Sequence, residues 1–141
     1  YRLSPDDLGI LSDIETLSKG RNFMIQPFMK SIVSEGEFSL LYFGGQYSHT
    51  ILKKPKSDDF RVQEEYGGFN RLIKPDTKLL MRANKAMAAL DGSPLYARVD
   101  MVRHGNDFFL MELELIEPSL YLKLDPKSPV RFAQALNNSM K

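Results

Sequence analysis

Tyr96-Ala97-Arg98-Val99-Asp100-Met101-Val102, answered by Phe109-Leu110-Met111-Glu112-Leu113-Glu114-Leu115, is the stretch on which the fold turns. Side chains on a strand alternate between two faces. Val99, Met101, Met111, Leu113 and Leu115 therefore take one side, and Arg98, Asp100, Glu112 and Glu114 can share the other. His104-Gly105-Asn106 reads as the turn between two strands at 96–102 and 107–116. Whether Asp100 joins the two glutamates depends on parity: an odd connecting loop keeps it on their face, and an even loop turns it to the apolar one.

Outward from this hairpin the pattern stays mixed. Residues 37–54 read as a second hairpin, with Gly44-Gly45 at its turn and Lys53-Lys54-Pro55 at its end. Asp76 caps a helix whose buried stripe is Leu79, Leu80, Ala83, Met87 and Leu90, closed by Gly92. Ser4-Pro5-Asp6-Asp7 opens another helix over 5–18, and Ser128-Pro129 opens a third at the C-terminus. Between them, 23–28 reads as a strand that breaks into a connector, and 56–74 as a strand at 60–63 followed by a loop. The expected class is α+β, a mainly antiparallel sheet packed against helices near 5–18 and 77–90.

Composition narrows the chemistry. In 141 residues there are no cysteines and two histidines, His49 and His104, which excludes disulfides, thiolate catalysis and multi-histidine metal centres. His49, on a strand, fits a hydrogen-bonding role better than a catalytic one and is assigned none, and His104, in a turn, needs no function. Nineteen basic against 18 acidic residues leave a net charge of +1, so neither nucleic acid nor a membrane surface is an expected partner. No apolar run approaches the roughly 20 residues of a membrane span and no signal peptide opens the chain; a cytoplasmic protein is expected. The start at Tyr1, without methionine and already at a helix cap, reads as a cut from something longer.

Carboxylates are then the abundant acid-base and metal-binding groups. Glu112 and Glu114 stand two apart, roughly 6.5 to 7 Å along a strand. Hard oxygen ligands of this kind suit Mg²⁺ bridging to nucleotide phosphates. The plainer reading is a solvated strand face with an Arg98–Glu112 ion pair. Against it, three like charges repel without a counter-charge, and no lysine neighbours them in sequence.

Arg98-Val-Asp100 followed by Glu112-Leu-Glu114 and Pro118 resembles the C-terminal core of the ATP-grasp ligases, which carry an R-x-D strand, then E-x-N and a proline. The likeness continues upstream. Gln26-Pro27-Phe28 resembles the hinge that meets adenine, Glu37 the acid at the ribose, and Lys53 a phosphate-contacting base. Asp59-Phe60-Arg61 with Gly67-Gly68 resembles the D-F-R-x-N-x-x-x-G-G segment over the phosphates. Glu114 replaces the family's usual Asn, and Gln63 stands at another Asn position. The resemblance implies a single partial ATP-grasp domain over 1–141, its N-terminal domain and first nucleotide-clamping strands lying upstream. It further implies an ATP- and Mg²⁺- (or Mn²⁺-) dependent ligase joining a small carboxylate substrate to an amine or thiol. Arg98 and Arg61 are its expected catalytic residues, and Asp100, Glu112 and Glu114 its metal ligands. A homodimer is compatible with it. The alternatives are a non-catalytic ATP-grasp-like domain with a binding or regulatory role, and a simple cation-binding module.

Overall fold

The computed structural model describes residues 14, 16, 19, 20, 22, 26–55 and 68–141. Its centre is a five-stranded antiparallel sheet in the order β3-β2-β1-β4-β5, formed by β1 (Glu37–Phe43), β2 (Gln46–Lys54), β3 (Phe69–Ile73), β4 (Tyr96–His104) and β5 (Asp107–Glu114). A helical turn, α1 (Ser31–Ser34), precedes β1; α2 (Thr77–Met87) carries the chain from β3 across the sheet to β4, and α3 (Ser128–Ser139) ends it. Gly44 and Gly45, with φ of 54° and 75°, make the β1–β2 turn, a backbone that glycine adopts without steric cost.

One sheet face is the core. Phe38, Leu40, Tyr42, Leu52, Ala97, Val99, Met101 and Phe108 pack there with Leu79 and Ala83 of α2, and Leu113 joins them partly buried. Val99, Met101 and Leu113 thus lie on the apolar face, as the alternation requires; Leu115 lies beyond the end of β5 and is exposed. Asp76 caps α2, its carboxylate accepting from the Leu79 amide at 2.8 Å. The helix stops at Met87, short of the expected Leu90, and a turn follows.

One expectation is corrected: residues 69–73 form the edge strand β3 where a loop is expected. Of 23–28, residues 26–28 form the irregular connector expected from the break at Gln26-Pro27, and 23–25 lie outside the described residues. The expected helix over 5–18, except Ile14 and Thr16, which are helical, and the expected strand at 60–63 lie outside the described residues.

Candidate functional site

Parity alone would have broken the acidic face. The β4–β5 loop contains two residues, Gly105 and Asn106, because His104 pairs with Asp107. An even loop in perfect register sets Asp100 opposite Met111. A bulge between Asp100 and Met101 intervenes: Met101 pairs with Leu110 but Asp100 with Glu112, so that Met111 is the extra residue, and Arg98 then pairs with Glu114. The odd residue that the acid cluster needs is supplied by the bulge instead of the loop. The β1–β2 hairpin repeats the device, with a register shift between Leu41 and Tyr42 that leaves Glu37 opposite Lys53.

Arg98, Asp100, Glu112 and Glu114 consequently share the face away from α2, and β1 and β2 add Glu37, Ser39 and Lys53 to it. Asp100 is the hub. Its side chain is 1% exposed; Ser39 Oγ donates to Oδ1 at 2.6 Å, Lys53 Nζ to Oδ2 at 3.1 Å, and Arg98 Nε to both oxygens at 3.1 and 3.0 Å. Lys53 also pairs with Glu37, and Arg98 with Glu114 and, at 3.6 Å, with Glu112. The counter-charge that sequence proximity does not supply therefore comes from β2, reaching across β1.

Gly36 lets Glu37 take this position. Its φ is 111°, and a Cβ there would lie 2.4 Å from the Lys53 carbonyl oxygen, so β1 starts hard against the β2 backbone only with glycine at that point.

Burial raises the Glu37 carboxyl above the usual range, with the Asp100 charge adding to the rise and Lys53 opposing it. Burial works against the charge on Lys53, but the charges of Asp100 and Glu37 outweigh it and raise the ammonium above its ordinary value. Arg98 behaves alike: burial is outweighed by Asp100 and Glu114. Tyr121, in the loop after β5, stands close enough to raise both bases further. Neither Tyr121 nor Ser39 carries a signal in the sequence, because long-range register and loop path bring them here.

Glu112 is the most open member, with its side chain 60% exposed, and Glu114 is 28% exposed. Among the described residues, no three acidic or histidine side chains converge as a ready-made metal cage. The donor set still suits a hard divalent cation, as Glu112 and Glu114 offer accessible carboxylate oxygens on one face. Asp100 has its acceptors filled by Ser39, Lys53 and Arg98, and reaches a cation only if the bases turn elsewhere.

Of the other expected site residues, Gln26 and Pro27 are exposed and Phe28 half-buried in the segment leading to α1, and Gly68 directly precedes β3. Arg61 and Gly67 lie outside the described residues, as do Asp59, Phe60 and Gln63.

No protein-family model matches the chain. It is 32% identical over 136 residues to the cycloserine biosynthesis protein DcsG of Streptomyces lavendulae, a match covering 89% of this chain and 44% of that protein. The crystal structure of D-cycloserine synthetase DcsG superposes with a TM-score of 0.66 at 32% identity, over 82% of this chain and 42% of that one. D-alanine–D-alanine ligase from Bacillus anthracis, complexed with ATP, shares the fold with a TM-score of 0.59 at 23% identity, over 95% of this chain and 45% of that one. The chain thus spans less than half the length of the relatives it matches. On this likeness of sequence and fold, the chain belongs to the ATP-grasp ligase superfamily and corresponds to its C-terminal part.

Proposed function

We propose that this chain contributes the phosphate- and cation-binding half of the site of an ATP-dependent ligase that joins a carboxylate to an amine or thiol through an acyl phosphate. The observation that carries the reading is the charge arrangement on one sheet face. Lys53 and Arg98, both buried, are held among Glu37, Asp100, Glu112 and Glu114 in a fold shared with an ATP-complexed ligase.

Four carboxylates against two bases leave the cluster formally two charges negative, the deficit that one divalent cation neutralises. Phosphate oxygens compete with the carboxylates for Lys53 and Arg98, and as the bases turn to them Asp100 is released beside Glu112 and Glu114. Those three acids would hold Mg²⁺ or Mn²⁺, which would supply positive charge to offset that of the phosphates and of the transferring phosphoryl group. Arg98 stabilises that phosphoryl group, with Arg61 from the covering segment; Lys53, Gly67 and Gly68 hold phosphate oxygens. Glu37, directly beside Lys53, takes the ribose hydroxyls, and Gln26, Pro27 and Phe28 take adenine. The substrate carboxylate oxygen bonds to the γ-phosphorus as ADP leaves. The amine or thiol then bonds to the acyl carbon as phosphate leaves. ATP of the cytoplasm is the natural supply for such a reaction.

Glu112→Gln tests this. Its exposed pair with Arg98 is worth at most about 1 kcal/mol to the fold, so the melting temperature should stay close to that of the wild type. ATP turnover by the full-length protein should fall roughly a hundredfold or more, as on loss of a preorganised charge contact. Normal turnover with a lowered melting temperature would show that these acids are a structural ion-pair face.

A further inference from the structure

His49 lies on the same face of β2 as Lys53, four residues away, and is buried. Its Nε2 stands 3.1 Å from the carbonyl oxygen of Leu120, and its Nδ1 2.9 Å from Ser48 Oγ. A carbonyl only accepts, so Nε2 carries the proton and Nδ1 of the neutral ring accepts from the serine. Ser48 Oγ in turn accepts from Arg131 Nε of α3 at 2.8 Å, and Arg131 pairs with Asp125. The ring is thereby locked at both nitrogens, and Asp125 and Arg131 are the charged groups that bear on it.

The object of this lock is the loop between β5 and α3. Two of its residues, Glu117 and Tyr121, have φ of 54° and 50°, and they are the non-glycine residues with left-handed backbone among those described. Side chains with a Cβ hold that conformation only where surrounding contacts impose it. The contacts are at hand: Leu120 is fastened to His49, the Leu124 amide donates to the Tyr121 carbonyl at 2.9 Å, and the buried Ser128 hydroxyl donates to Asp125 O at 2.7 Å. The residue after the fastened Leu120 is Tyr121, whose side chain lies within electrostatic range of both Lys53 and Arg98.

We propose that His49 is a positioning residue of the nucleotide site, holding the β5–α3 loop through Leu120 so that the Tyr121 phenol faces Lys53 and Arg98 and contacts the bound phosphates. This rests on the ATP-ligase reading above. Its consequence is coupling: loss of the lock and loss of the phenol remove one and the same interaction.

The test titrates Mg-ATP into the full-length wild type, His49→Ala, His49→Gln, Tyr121→Phe and the His49→Ala/Tyr121→Phe double variant, with hydrogen exchange followed over residues 117–125. His49→Ala and Tyr121→Phe should each weaken binding about tenfold, as for a lost hydrogen bond to a charged group. The double variant should be no weaker than either single one. His49→Gln, whose amide donates to the Leu120 carbonyl, should stay within about twofold of wild type. Exchange over 117–125 should accelerate in His49→Ala while β1 and β4 keep their protection. Should His49→Ala not fold, Ser48→Ala, which removes the clamp on Nδ1, replaces it with the same expected direction. Additive losses, an unaffected Tyr121→Phe, a His49→Gln as weak as His49→Ala, or unchanged loop exchange would each overturn the proposal. Failure of the wild type to bind Mg-ATP would instead overturn the ligase reading, and the exchange measurement would still decide whether His49 holds the loop.

Discussion

Ser39 makes the reach from Lys53 to Asp100 physically feasible. It sits on β1 between β2 and β4, paired with Asp100 on one side and Ile51 on the other, and a side chain this small leaves the ammonium a path across the central strand. The hydroxyl then fills part of Asp100's acceptor capacity, which a buried carboxylate must satisfy somewhere. Lys53 is correspondingly costly to lose. Lys53→Met should destabilise the protein by about 3 kcal/mol, since it strands Glu37 and leaves Asp100 with Arg98 as its one base in a buried setting. Denaturant unfolding at neutral pH measures this; a loss below about 1 kcal/mol would mean that water reaches the cluster. At this scale the sequence was informative about which residues matter and silent about who meets whom. Alternation sets Arg98 with Asp100 on one face of β4, and Glu112 with Glu114 on one face of β5, and leaves open whether the two pairs meet. That Lys53 neutralises them is hidden, because 47 positions separate Lys53 from Asp100 and the contact depends on two strand pairings and a bulge.

Among the elements, α2 and β3 show what makes a segment readable. The helix has a capping aspartate and an apolar stripe along one side, and both survive in the structure as the Asp76–Leu79 hydrogen bond and the buried Leu79 and Ala83. Removing the cap with Asp76→Ala should cost about 1 kcal/mol. Calorimetric or chemical unfolding checks it, and an unchanged midpoint would show that the first turn of α2 is held by packing alone. The strand β3 offers no comparable pattern. It is a sheet edge with Phe69, Arg71 and Leu72 exposed and nothing fully buried, so its five residues lack the alternation that burial imposes. The bulge in the β4–β5 hairpin is equally silent in sequence, although the site depends on it. It arises where the turn fixes one register and the burial of Val99 and Leu113 demands another.

For the whole molecule, the sheet separates two tasks. Its α2 side is an apolar core, and its other side carries charge between the β5–α3 loop and the strand ends, with Phe132 of α3 packed edge-on against Phe43 at 5.2 Å. A face so charged is stable because its bases and acids satisfy one another. A polyphosphate with a divalent cation offers each of them a new partner of the opposite sign, so nucleotide and cation should bind together. The most direct measurement is a calorimetric titration of ATP into the full-length protein, with and without Mg²⁺, on the wild type and Glu112→Gln. We predict binding that needs Mg²⁺ and weakens at least about tenfold in Glu112→Gln, the loss of a charge-assisted contact, at an unchanged melting temperature. ATP affinity that is the same without Mg²⁺, or the same in Glu112→Gln, would contradict the assignment of this face as the nucleotide–cation site.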